Sequence, residues 1–142
     1  MRISDVLRRK GDLVVTIGPG ESVTALLEAL DRHKVGALVV SGGDGTVDGI
    51  VSERDVVRHL HSVGPGVLTG PVNAIMTNEV HTCGLDDHTE DLMVTMTQRR
   101  IRHVPVLDDG RLVGIVSIGD VVKERIDSLQ AERDHLTAYI SS

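Results

Sequence analysis

Two short stretches of the sequence place a serine hydroxyl three residues ahead of a carboxylate. "GIVSERDVV" contains Ser52 and Asp55, "GIVSIGDVV" contains Ser117 and Asp120, and seven of the nine positions are identical. A serine between a strand and a helix presents its hydroxyl and free backbone N–H groups at the positive end of the helix dipole, which suits a phosphate. The carboxylate in the first helical turn can accept hydrogen bonds from two adjacent hydroxyls, as a ribose diol offers. The chemistry of each stretch therefore fits a nucleotide.

The same Ser-x-x-Asp pattern also has a purely structural interpretation. Serine is a preferred residue at the N-cap of a helix, and aspartate in the first turn is favoured by the helix dipole. One isolated copy would favour capping alone. Two copies in register, inside matching units, favour ligand binding with capping as a simultaneous role.

Both stretches belong to a longer internal repeat. Thr16 aligns with Thr82 at a shift of 66, and from Gly49 and Gly114 onward the shift is 65. The one-residue difference falls where "GGDGT" faces the shorter "DDGR", as a tolerated change in a loop does. Residues 62–71, "SVGPGVLTGP", are rich in Gly and Pro and are typical of a linker. We therefore predict a first repeat at 1–61, a linker at 62–71, a second repeat at 72–126 and a helical extension at 127–142.

Each copy has the pattern of a β-α-β-β-α unit. A short strand ("LVVT", 13–16, and "EVHT", 79–82) precedes a helix, and two β-rich runs around a Gly/Asp turn form a hairpin before a second helix. In the first helix, apolar residues at spacings of one, three and four are predicted to share a face: Leu26, Leu27 and Leu30, then Leu92, Met93 and Met96. A single copy of about sixty residues buries too little surface to be stable alone. We expect an α/β (α+β) fold in which two copies pack about a pseudo-twofold axis, followed by a long C-terminal helix.

The composition excludes several classes of function. A net charge of −6 argues against binding nucleic acid, and with Tyr139 as the only aromatic residue the chain lacks platforms for stacked bases. No apolar run has the length of a membrane span. Cys83 is the only cysteine, so no intrachain disulfide can form, and a cytoplasmic location is the default expectation.

Neither a metal site nor a catalytic centre is indicated by the sequence. "HTC" places His81 and Cys83 on one face of a predicted strand, with His88 and His103 as further metal-ligand types, but no paired CxxC or HxxxH spacing is present. No P-loop, dinucleotide fingerprint or nucleophile elbow occurs either. We therefore expect no metal and no enzymatic activity.

Two β-α-β-β-α copies, each ending in Gly-h-h-Ser-x-x-Asp (h, hydrophobic), with "RHVPV" on the preceding strand, resemble a tandem pair of CBS domains, or Bateman module. The resemblance covers about residues 3–126 and is closest to stand-alone bacterial CBS-pair proteins. It implies a regulatory module that binds AMP or a related adenine nucleotide (ADP, ATP or NAD) and acts on a separate protein. It also implies a homodimer.

The resemblance assigns roles to individual residues. It implies that Asp55 and Asp120 bind the ribose and that Ser52 and Ser117 bind the phosphate. The adenine pocket is expected to involve Thr16, Ala37 and Val39 in the first copy and Thr82, His103 and Pro105 in the second.

Positive charge near the second site distinguishes the two copies. Arg102 and His103 alternate faces on a strand, so one of them can reach a phosphate, whereas the first copy has Gly36 and Ala37 at these positions. We expect the second site to bind more tightly. Two alternatives remain open: an interaction module whose clefts stay empty, and a sensor that either responds to redox state through Cys83 or binds NAD(H) instead of a mononucleotide.

Apolar residues recur along the C-terminal segment with a four-three rhythm. Arg133 is the one charged interruption of this heptad spacing, which runs through Val122, Ile126, Leu129, Leu136 and Ile140. Such a face either packs on its own module or pairs with another chain. We expect these helices to lie near a homodimer interface.

Overall fold

The chain forms two three-stranded sheets flanked by helices. The computed structural model describes residues 1–11 and 14–141. In chain order the elements are α1 (Ile3–Lys10), β1 (Thr16–Ile17), α2 (Val23–His33), β2 (Ala37–Val40), β3 (Gly49–Ser52), α3 (Glu53–Val63), two 3₁₀ helices (Pro65–Thr69 and Val72–Ala74), β4 (Cys83–Gly84), α4 (Thr89–Arg99), β5 (His103–Asp108), β6 (Arg111–Ser117) and α5 (Ile118–Ser141).

The two sheets have the same topology, which confirms the predicted β-α-β-β-α repeat. Their strand orders are β1-β2-β3 and β4-β5-β6, with a parallel first pair and an antiparallel hairpin as the second. The registers are also equivalent, because Ala37 pairs with Ser52 in one hairpin and His103 with Ser117 in the other. Each strand that ends in the repeated serine therefore lies beside a predicted pocket residue.

The predicted bounds of the first strand in each copy are wrong. Strand β1 begins only at Thr16, where it runs beside Val39, and Leu13 of the predicted strand lies outside the described residues. The predicted strand at 79–82 is replaced by β4, which begins at Cys83 beside Val106. Pro105 stands at the equivalent of Val39 and has no N–H to donate, so pairing starts one residue later in the second copy.

Helix α1 packs against the second repeat, although it precedes the first. Ile3, Val6 and Leu7 are buried in the same hydrophobic core as the β5 and β6 residues Val104 and Val116. The N–H groups of Ile3 and Ser4, at the start of the helix, donate to the carbonyls of Asp87 and Leu85 at 2.8 and 3.0 Å. The repeat pattern, which places residues 1–61 in the first copy, does not predict this crossing.

The segment that joins the repeats is likewise structured and packs on the first core. Val67, Val72 and Ile75 are buried with α2, β2 and β3. The N–H of Val72 donates to the carbonyl of Glu21 at 2.8 Å, and Thr77 exchanges two backbone hydrogen bonds with Ile50. The stretch predicted as a linker thus also supplies core residues, and each half is completed by the N-terminal segment of the other copy.

The first glycine of each repeated stretch lies under these crossing segments. A Cβ on Gly114 would lie 2.7 Å from both Cδ atoms of Leu7. A Cβ on Gly49 would lie 2.6 Å from Sδ of Met76 and 2.9 Å from the carbonyl oxygen of Thr77. Real Cβ atoms do not approach so closely, so glycine is required by the packing of a neighbouring segment rather than by a turn.

The helical faces follow the predicted pattern with one exception. Leu26 and Leu30 of α2 are buried, as are Leu92 and Met96 of α4, whereas Leu27 is 37% exposed. Residues one apart on a helix point about 100° apart, so Leu27 falls at the edge of the buried face.

Helix α5 is one continuous helix of 24 residues, about 36 Å long at 1.5 Å per residue, which confirms the predicted long C-terminal helix. Val121 and Glu124 are its buried residues. The predicted heptad positions are exposed on the single chain: Val122, Ile126, Leu129, Leu136 and Ile140. Among the residues described here, no helix is long and apolar enough to span a bilayer.

Candidate functional site

In the first repeat, the serine and the aspartate close a reciprocal cap at the start of α3. The N–H and Oγ of Ser52 both donate to Oδ2 of Asp55, at 2.8 and 3.1 Å. The N–H of Asp55 approaches Oγ of Ser52 at 3.3 Å. The predicted capping role is confirmed, and it leaves Oδ1 of the carboxylate without a hydrogen bond from any described residue.

In the second repeat, the same cap is joined by a lysine from the other end of the chain. The N–H of Ser117 donates to Oδ2 of Asp120 at 2.9 Å, and the N–H of Asp120 donates to Oγ of Ser117 at 3.2 Å. Nζ of Lys10, the last residue of α1, lies 2.7 Å from the same Oδ2 and 2.9 Å from the carbonyl oxygen of Ile115. The lysine and the carboxylate both line a cavity of about 280 Å³.

Sequence reasoning missed Lys10. The only signal was the basic run Arg8-Arg9-Lys10, which ends α1 and is typical of a C-terminal helical turn. The residue could be placed beside Asp120 only by knowing that α1 crosses to the second repeat.

The groups around Asp120 and His103, which we call the second cleft, alter the pKa values of these two residues. Burial acts to raise the pKa of Asp120, but the hydrogen bonds from Lys10 and Ser117 outweigh it, so the pKa lies below its usual value. Burial lowers the pKa of His103, and the positive charges of Lys10 and Arg102 lower it further, against the opposing effect of Asp120 and Glu53. At neutral pH the lowered pKa values therefore keep Asp120 as a carboxylate and His103 as a neutral imidazole.

The adenine-pocket residues of the first copy lie together on its sheet. Ala37 pairs with Ser52, and Thr16 pairs with Val39. Val39 has no exposed surface and Ala37 only 4%, so in this structure neither presents appreciable surface to a cleft, whereas Thr16 is exposed.

The equivalent residues of the second copy do not all lie on its sheet. His103 pairs with Ser117, and Pro105 is buried in β5. Thr82 is exposed and precedes β4 rather than belonging to it. Arg102 is exposed and precedes β5 rather than belonging to it, so the prediction that Arg102 and His103 alternate faces on one strand is wrong. The carbonyl of Arg102 accepts from the N–H of Ile118 at 2.8 Å.

The two clefts meet at the boundary between the repeats. A Cβ on Gly36 would lie 3.4 Å from Oε1 of Glu53 and 3.7 Å from Cε1 of His103. The imidazole of the second copy thus faces the start of β2 in the first. This is the close packing of two copies that the repeat predicted.

Cys83 does not have the properties of a reactive thiol. Its side chain is buried in β4, and burial, followed by the charge of Asp87, raises its pKa to about 12. Thiolates rather than thiols act as nucleophiles and metal ligands, so this residue disfavours the redox alternative. His81 contacts Arg99 at 3.0 Å, and the described part of the chain contains no cluster of three or more His, Cys, Asp or Glu residues that could hold a metal ion.

Comparison with known proteins gives consistent matches over nearly the whole chain. The family model described as "CBS domain" matches residues 3–62 and 72–127. The CBS-domain containing protein ATU1752 from Agrobacterium tumefaciens is 46% identical in sequence, and its crystal structure superposes with a TM-score of 0.85 over 88% of this chain and 99% of that one.

Two further matches are informative about the relatives. The mitochondrial CBS domain-containing protein CBSX3 of Arabidopsis thaliana is 36% identical over 146 residues, covering 97% of this chain and 71% of the relative. The CBS domain pair of protein MJ0100, solved in complex with 5'-methylthioadenosine and S-adenosyl-L-methionine, is 25% identical, with a TM-score of 0.77 over 87% of this chain and 98% of that one.

Proposed function

Because this chain belongs to the CBS domain family and carries two of these domains in tandem, we propose that it is a regulatory adenine-nucleotide sensor of the AMP type, without catalytic activity, that acts on a separate protein. The observation that carries the proposal is the pair of equivalent carboxylates. Asp55 and Asp120 each sit in the first turn of a helix, and each accepts hydrogen bonds from the described residues through Oδ2 alone. The Oδ1 atom is left for the hydroxyls of a ligand.

In this proposal the ligand lies across the end of the hairpin in each copy. Asp55 and Asp120 hold the ribose, and Ser52 and Ser117 with the N-termini of α3 and α5 hold the phosphate. The adenine lies between the walls of the clefts. They are formed by Thr16, Ala37 and Val39 in the first copy and by Thr82, His103 and Pro105 in the second.

The class of ligand is supported by a relative. The MJ0100 domain pair was solved with two ligands that each contain adenosine, which is the part that the carboxylate and the walls of the clefts would recognise. AMP is our first choice because the helix N-termini and the nearby Arg102 favour a phosphate. ADP, ATP and NAD are the other candidates.

The proposal includes a homodimer in the cytoplasm and a protein target on another chain. The exposed apolar positions of α5 recur with heptad spacing, which is the pattern by which two helices pair. The acidic net charge and the near absence of aromatic residues disfavour nucleic acid as the partner.

One observation favours a second candidate, an interaction module whose clefts stay empty. The serine and the aspartate of each cap are already hydrogen-bonded to each other without a ligand. The two candidates differ in whether any nucleotide binds.

Calorimetric titration of AMP, ADP, ATP and NAD into protein freed of carried-over ligand tests the proposal. Asp55→Asn and Asp120→Asn are the variants of choice, because the amide oxygen can still accept the N–H of the preceding serine. Loss of a charge-assisted contact should weaken the affected site about ten- to a hundredfold, while the other site is retained. If the wild type binds none of the four ligands at millimolar concentration, the interaction module replaces the sensor.

A further inference from the structure

Both clefts contain the serine cap, and the second cleft contains an ammonium group in addition. In the first copy, Oγ of Ser52 donates to Oδ2 of Asp55 at 3.1 Å. In the second copy, Nζ of Lys10 lies 2.7 Å from Oδ2 of Asp120, beside the cap formed by Ser117. Among the described residues, no basic side chain contacts Asp55 in this way. The two clefts therefore have the same cap but a different charge.

We propose that Lys10 is a specificity-determining residue of the second cleft, which it makes selective for adenine nucleotides with a phosphate over the bare nucleoside. The inference rests on the proposed function, because it concerns the same cleft and the same class of ligand. It adds a residue from outside the repeated motif and an order of preference between ligands.

The hydrogen-bond capacity of the ammonium group provides the means of selection. A lysine has three N–H donors, and Lys10 directs two of them to Oδ2 of Asp120 and the carbonyl oxygen of Ile115. No described residue accepts a hydrogen bond from the third N–H, which can therefore donate to a ligand. The N–H of Ser117 contacts the same Oδ2 at 2.9 Å, so the ammonium lies beside the helix start that is proposed to hold the phosphate.

The same contact weakens the cleft for a ligand without a phosphate. A carboxylate that is already paired with an ammonium group is a poorer acceptor for a ribose diol. The pair is partly shielded from solvent, since the side chains of Lys10 and Asp120 are 36% and 24% exposed. Its charge is therefore less screened than that of a fully exposed surface ion pair.

Among the described residues, the first copy has no counterpart of Lys10 at Asp55, so the first cleft should discriminate less. Its carboxylate receives only neutral donors, and the nearby charged side chain at the boundary is Glu53, which is acidic. A phosphate gains no cation there from α1. The preference for a phosphate should thus be a property of the second cleft alone.

Titration of AMP and adenosine into the Asp55→Asn protein isolates the second cleft, and Lys10→Met in that background tests the inference. We expect AMP to bind about tenfold more weakly, because one charge-assisted hydrogen bond is lost, and adenosine to bind equally well or up to about threefold more tightly. Arg8→Met is the matched control: it removes a positive charge from the same helical turn, but Arg8 pairs with Asp5 instead. Lys10→Arg should retain the preference.

The outcomes separate this inference from the proposed function. If AMP and adenosine both bind and Lys10→Met leaves the ratio of their affinities unchanged, or changes it no more than Arg8→Met does, the role of Lys10 is refuted while the sensor stands. If neither ligand binds the wild type, both proposals fail. Thermal melting of each variant identifies any change in affinity that comes from unfolding. If Lys10→Met is unfolded, the ratio of AMP to adenosine affinity is measured in the folded Lys10→Arg variant instead.

Discussion

Replacing Gly49 with alanine should destabilise the protein, although glycine is not required there by backbone torsion. The added Cβ would lie 2.6 Å from Sδ of Met76 and 2.9 Å from the carbonyl oxygen of Thr77. The thioether can rotate away, but the carbonyl belongs to backbone held by two hydrogen bonds to Ile50, at 3.0 and 2.8 Å. Relief of the clash therefore requires the crossing segment to move away from β3.

The expected cost follows from what that movement loses. Two backbone hydrogen bonds contribute about 1 kcal/mol each, and overpacking of a well-packed core costs about 1–3 kcal/mol, so we expect a loss of about 2–3 kcal/mol in the free energy of unfolding. For a chain of this size that corresponds to a fall in Tm of about 5–10 °C.

Urea denaturation followed by circular dichroism measures this loss directly. Gly20→Ala is the matched control, because a Cβ at Gly20 would meet no atom within 4 Å, so this variant should be as stable as the wild type or slightly more stable. Equal stability of Gly49→Ala and Gly20→Ala would refute the close packing of the crossing segment against β3.

Three further predictions concern the halves, the pH and the C-terminal helix. A fragment that ends at Gly64 lacks Val67, Val72 and Ile75 of the first core, so it should show no cooperative melting by calorimetry; a cooperatively melting soluble monomer would contradict the exchange of segments. When the protein is folded, the pKa of His103 lies below its usual value of 6.5, so the unfolded chain binds more protons. The contribution of His103 to stability should therefore be complete above pH 6.5 and be lost as the pH falls towards its folded pKa. His103→Gln should reduce this loss in melts between about pH 7.5 and 5. Truncation after Ile126 should convert the proposed dimer to a monomer in analytical ultracentrifugation, and a dimer that persists would show that the rest of α5 is not needed for pairing.

Local patterns in the sequence predicted most of each repeat. The two hairpins follow from β-rich runs around a Gly/Asp turn, and the caps follow from Ser-x-x-Asp, because both depend on residues that are neighbours in sequence. The topology of the sheets then follows from the repeat, since two copies of one pattern form one structure twice.

The parts that could not be predicted depend on contacts between distant residues. The start of β1 at Thr16 is decided by where β2 lies, and Pro105 shifts the equivalent start in the second copy by removing a donor from another strand. Lys10 is beyond the reach of local reasoning for the same reason. Its contact with Asp120 spans 110 residues, and no periodicity within α1 indicates which repeat the helix packs against.

The crossing of α1 determines the order in which the molecule can be completed during synthesis. This helix is made well before β6 (Arg111–Ser117), the strand on which it packs. Until β6 has been made, Ile3, Val6 and Leu7 lack the surface against which they are buried, so this amphipathic helix stays exposed. Completion of β6 allows α1 to pack, and with it Lys10 can contact the carbonyl oxygen of Ile115, 105 residues away.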